Sequence, residues 1–101
     1  MRRFKVLLTG LSQQDFKEGK DYYKEINPKL ARQFLSRIKE TKNFISENPL
    51  ANDISYKNVR THLLKQFPYQ IHYIIDEANS NVFVIAIEFA KREDLDFSER
   101  D

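Results

Sequence analysis

Between Asn58 and Ile75 apolar and polar side chains alternate, and that alternation commits the segment to a sheet with two unlike faces. Val59, Thr61 and Leu63 interleave with Asn58, Arg60 and His62. After a turn at Gln66-Phe67-Pro68, Tyr69, Ile71, Tyr73 and Ile75 interleave with Gln70, His72 and Ile74. Read strand by strand, the pattern predicts one face of Val, Leu, Ile and Tyr turned to a core. The other face then gathers Asn58, Arg60, His62, Gln70 and His72. No acidic residue lies between Asp53 and Asp76, so that second face is expected to be un-neutralised and able to grip an anion or an acidic partner. A further strand, Val82 to Phe89, is apolar on both sides until Glu88, as a central strand should be, and it runs into Lys91-Arg92.

The first half of the chain reads differently. Phe4 to Thr9 is a short strand ended by Gly10, and Leu11, Phe16, Tyr23 and Ile26 then recur at roughly helical spacing. Asn27-Pro28 marks the start of a second helix: Asn is a good N-cap, and Pro fits the first helical position, where its missing N–H is no loss. Leu30, Phe34, Ile38, Thr41 and Ile45 form its apolar stripe, and Asn48-Pro49 stops it. With almost no loop between them the helices should fold back as an antiparallel hairpin. Leu50 to Lys57 reads as a polar connector, and Glu77 to Asn81 as a hairpin turn. The expected architecture is α+β: an N-terminal strand, a helical hairpin and a three-strand antiparallel meander, about four strands in all, with both helices on one sheet face. Tyr73, Ile71, Leu63, Phe34 and Ile38 should be buried together.

Residues 1–101 make a single domain, with 41% hydrophobic and 32% charged residues, a composition that argues against wholesale disorder. The formal charge of +2 understates a basic body, because Glu93, Asp94, Asp96, Glu99 and Asp101 crowd the closing segment. The absence of cysteine removes thiol catalysis, disulfides and thiolate metal sites together. The apolar run after Met1-Arg2-Arg3 is too short for a signal peptide and no segment is long enough to span a bilayer, so a cytoplasmic location is expected. Two histidines without a third ligand nearby point to polar surface rather than a metal, and no cofactor is expected.

The order of these elements and the residues Asn27-Pro28, Asn48-Pro49, Val59-Arg60, Phe67-Pro68-Tyr69-Gln70-Ile71-His72-Tyr73, Val84-Ile85-Ala86-Ile87 and Lys91-Arg92 resemble the RelE/ParE superfamily of toxins from bacterial type II toxin–antitoxin, or plasmid stabilisation, modules. The resemblance covers nearly the whole chain. It implies a cognate antitoxin as partner, and either ribosome-bound mRNA or DNA gyrase as target. RelE-like cleavage without a metal needs a base, a cation for the crowded phosphorane and an acid for the leaving oxygen. Arg60, His62 and Arg92 match basic positions of that set. Two positions depart from it: Gln70 stands where the family pattern carries an arginine, and Phe89 where it carries a proton donor; Phe97 is equally inert.

Three readings follow. In the first the chain is a ParE-like toxin that acts by binding a protein target through Arg60, His62, Gln70, His72, Lys91 and Arg92. In the second it is a ribosome-dependent mRNA endoribonuclease using Arg60, His62 and Arg92. In the third it is a degenerate member that only binds an antitoxin. Without the resemblance, Arg60 reads as a solvated strand residue, Lys91-Arg92 as an exit neutralised by Glu93-Asp94, and the set Tyr22, Tyr23, Phe34 and Phe44 as core packing.

Overall fold

The computed structural model describes residues 3–90, so the expectations placed on Lys91, Arg92, Phe97 and the acidic closing segment lie outside the described residues. The elements are β1 (Lys5–Leu8), α1 (Gly10–Ile26), α2 (Pro28–Glu47), β2 (Ile54–Tyr56), β3 (Val59–Leu63), β4 (Tyr69–Asp76) and β5 (Asn81–Phe89). They build a five-stranded sheet of order β1-β5-β4-β3-β2, in which only the β1–β5 pair is parallel. The extra strand is β2, inside the expected polar connector. It is three residues long and all of them are exposed, too short a run to stand out among polar neighbours, and it pairs with β3 at the sheet margin.

Asn27 closes both helices at once. Its backbone N–H donates to Tyr23 O at 2.8 Å to end α1, and its side-chain Oδ1 accepts from Lys29 N at 2.9 Å to start α2. With a single extended residue between them, the helices must reverse direction and lie side by side. Both bury their inner stripes in the same core as the sheet residues Ile71, Tyr73, Val82, Val84 and Ile87, so the hairpin covers one face as expected. The stripe of α2 is as read from sequence. That of α1 is shifted: Ser12, Gly19 and Tyr23 are buried and Phe16 packs against the core, whereas Leu11 and Ile26 are exposed.

The core centres on Phe34, fully buried among the rings of Tyr69 (5.2 Å), Phe67 (5.3 Å), Tyr23 (5.4 Å) and Phe16 (6.0 Å). Aromatic pairs at these separations add to the gain from apolar burial. Of the four aromatics expected to pack, Tyr23 and Phe34 do; Tyr22 and Phe44 are exposed.

The two-faced reading of β3 and β4 needs a correction. Leu64 N donates to Tyr69 O, leaving the four residues between them as the turn. Gln66 takes a left-handed conformation there (φ 74°), and its amide is held by Gln33 and Arg37 of α2. The resulting register sets Arg60 opposite Tyr73, Thr61 opposite His72, His62 opposite Ile71 and Leu63 opposite Gln70. Directly opposed residues share a face, so Arg60 and His62 lie on the helix-covered side and Gln70 and His72 on the open side. Leu63, expected in the core, is 63% exposed on the open face.

Gly19 allows α1 and α2 to approach. A Cβ there would stand 2.9 Å from Phe34 Cζ, and that ring is hemmed in on all sides. Gly19→Ala gains about 1 kcal/mol of helix propensity but overpacks the core at a cost of about 1–3 kcal/mol. A net loss of stability is expected, read as a lower urea midpoint.

Candidate functional site

The segment after α2 is held by a directed chain of hydrogen bonds. The Tyr73 hydroxyl, buried beneath the sheet edge, donates to Pro49 O at 2.8 Å and accepts from Asn52 Nδ2 at 3.2 Å. That fixes the Asn52 amide, so its Oδ1 faces His62 Nδ1 at 3.2 Å and the imidazole donates through Nδ1–H. Arg60 Nη1 donates to Asn52 O, and His62 lies against the Phe44 ring at 5.5 Å. Arg60 and His62 therefore brace the Pro49–Asp53 segment, a role that the sequence did not disclose. Burial pushes the His62 imidazole below its ordinary pKa and the Tyr73 phenol above its own.

On the open face, His72 is 7% exposed and its Nε2 lies 3.0 Å from Glu88 Oε1, while its Nδ1 has no partner. Glu88 stands directly opposite Gln70. The face expected to be un-neutralised thus carries a carboxylate from β5, far away in sequence but adjacent in the sheet. Gln70 and His72 share this face with Thr61, and Tyr56 of β2 comes within 6.2 Å of the His72 ring. The site residues fall into two groups, Arg60 with His62 and Gln70 with His72, rather than one. Exposed apolar Ile54, Tyr56 and Leu63 adjoin the strand bearing Arg60.

A surface cavity of about 490 Å³ begins beside His72 and Glu88 and turns round the outer edge of β5. It exists because β1 stops at Leu8, opposite Val84, so the remainder of β5 has no strand on that side. Asp15 of α1 fills in for one ladder bond, accepting from Ile87 N at 3.0 Å. Sequence reasoning missed this region, since Asp15 and Glu18 are brought to β5 only by the packing of α1 against the sheet. Burial, reinforced by Tyr22 and Glu18, raises the pKa of Tyr69 on the same wall. Among the described residues no group of three His, Cys, Asp or Glu side chains is arranged to hold a metal ion, and no helix is long and apolar enough to cross a membrane.

The mixed sheet with a helical hairpin on one face is similar in fold to solved chains from toxin–antitoxin systems. The chain is similar to a structure of the chromosomal ParDE system from P. aeruginosa, with a TM-score of 0.73, 19% identity, and 86% of this chain covering 96% of that one. It is also similar to a chain of the RelBE2 toxin–antitoxin complex from Mycobacterium tuberculosis, with a TM-score of 0.61, 14% identity, and 86% of this chain covering 98% of that one. No curated protein matches the sequence significantly. The family model for the ParE toxin of the type II toxin–antitoxin system parDE matches residues 6–93, and the chain belongs to that family.

Two outcomes test the bracing network. Asn52→Ala removes the donor to Tyr73 and the acceptor of His62, and should cost about 1–3 kcal/mol in denaturant unfolding. His62 has a folded pKa below its unfolded one, so the unfolded state binds the proton more readily. Its contribution to stability is complete above the unfolded value of about 6.5 and falls as pH drops through the folded value. The fall in urea midpoint between neutral and mildly acidic pH should be smaller in His62→Gln than in the native chain.

Proposed function

We propose that this ParE-type toxin arrests growth by binding a protein target of the gyrase kind, and that a cognate antitoxin neutralises it. One observation carries the reading: among the described residues, the basic and imidazole groups available to a metal-free nuclease do not converge on one open surface. Arg60 and His62 are engaged with Asn52 on the helix side, while His72 pairs with Glu88 on the opposite side. Gln70 offers no cation, and Phe89 offers no proton. A base, a phosphorane-stabilising cation and an acid must all lie within hydrogen-bond reach of one reacting phosphate. A binding toxin needs instead an exposed surface of mixed character, and Ile54, Tyr56 and Leu63 beside β3 supply its apolar part.

The antitoxin part of the proposal draws on the solved relatives, both from toxin–antitoxin systems. A flexible antitoxin segment that orders on binding would cover apolar and cationic surface together.

Controlled expression followed by parallel assays tests the target. Growth arrest with gyrase-dependent DNA damage is expected, relieved by co-expressing a cognate antitoxin, to be sought as a small acidic protein encoded by an adjoining reading frame. Purified protein is expected to leave RNA intact with ribosomes or without them. Arg60→Ala should weaken target association modestly, by about 1 kcal/mol, as does loss of many single interface contacts. Site-specific mRNA cleavage, lost in Arg60→Lys and His62→Gln, would replace this reading with the endoribonuclease. Growth unaffected by full expression would favour a degenerate member.

A further inference from the structure

Strand β2 is weakly secured, and what it covers is unusual. It buries none of its three residues and meets β3 at two register positions, with an irregularity between Ile54 and Tyr56. The tight turn that returns the chain to β3 adds strain. Lys57 has φ 49° there, a left-handed conformation that short hairpin loops ordinarily give to glycine or asparagine.

The points on either side are firm. Before β2, Asn52 is held by Tyr73, Arg60 and His62. After it, Arg60 is paired with Tyr73 of β4. Residues 53–58 therefore run as a strap between two fixed points, joined to β3 on the open face by the Ser55 and Thr61 hydroxyls, 2.7 Å apart.

Directly opposed residues share a face, so Tyr56, Val59, Thr61 and His72 stand together on that side. Val59 and His72 are both buried, although no described helix covers this face and Val59 lies apart from the main core. The Tyr56 ring stands opposite Val59 and 6.2 Å from the imidazole, placed to cover both.

Closure sets opposing effects against each other. Covering Val59 removes apolar surface from water. Covering His72 leaves its buried Nδ1 without a hydrogen-bond partner, and holding Lys57 left-handed adds backbone strain. Gains and costs of the same order describe an element that opens locally while the rest stays folded. A buried polar atom left unpaired is uncommon in a folded protein, and water admitted by opening would supply the missing bond.

We propose that residues 53–58 are a strap that lifts from the sheet while Asn52 and Arg60 stay fixed, and that its opening gates access to His72. Closed, it presents Ile54 and Tyr56 at the sheet margin; open, it disperses that apolar patch and bares the imidazole. The device is built into the toxin itself and is the same whichever target the toxin meets.

The chain has two histidines and no cysteine, so access to His72 is readable by carbethoxylation with diethyl pyrocarbonate and peptide mass spectrometry. Native His72 should react at a rate insensitive to urea below the unfolding transition, because local opening exposes little new surface. Ser55→Cys with Thr61→Cys staples the strap at the bonded hydroxyl positions. Oxidised, this variant should slow His72 modification about tenfold, since only the opened fraction reacts, and reduction should restore the rate. Tyr56→Ala should speed it. Lys57→Asn, which accommodates the left-handed conformation, should slow it about two- to fivefold. A rate that climbs with urea in step with unfolding would overturn the proposal, as would a native His72 that does not react below the transition. A rate unaltered by the oxidised staple, even where Tyr56→Ala accelerates it, would show that the ring moves alone and overturn the strap equally.

Discussion

Asn27 is the constraint from which the remaining architecture follows. Because one residue both ends α1 and caps α2, the helices have no slack with which to separate. They leave Tyr23 and Phe34 side by side and present a single two-helix surface, which only one face of a sheet can accept. Gly19 then lets Phe34 press close to α1, and Phe67 and Tyr69 complete the aromatic junction from the β3–β4 hairpin. The turn that supplies Phe67 is in turn held to α2 through Gln66. Core and hairpin register are thus one problem with one solution.

That register decides which residues can cooperate. Four residues between Leu64 and Tyr69 place Arg60 and His62 under the sheet and leave His72 above it. A one-residue change in turn length would invert the β3 side chains relative to β4. The cationic groups that would otherwise gather on one surface are divided. One pair fastens the segment following α2, and the other face is shared with the Glu88 carboxylate.

The legible parts of this structure are those set by local pattern. The α2 stripe from Phe34 to Ile45, the Asn-Pro boundaries and the central character of β5 follow from spacing within one element. Illegible parts depend on how elements meet. Strand alternation tells that two faces exist but not which residues of neighbouring strands share one, because that depends on turn geometry. β2 has no buried residue to announce it. His72 and Glu88, like Asp15 and Ile87, become neighbours only through pairing and helix placement, so their chemistry is absent from any sequence window. The α1 stripe is only half legible, because the helix meets Phe34 closely at Gly19, which carries no hydropathy signal.

The parallel pairing of β1 with β5 has a consequence for synthesis. Lys5 emerges from the ribosome well before its partner Asn81. Phe4 can be fastened early to the end of α2 through Ser46, but β1 and β4 acquire a common neighbour only when β5 arrives. Pairings so distant along the chain form late and slowly. A nascent chain therefore holds a helical hairpin without a closed sheet, and the complete sheet comes into being only once β5 has been made.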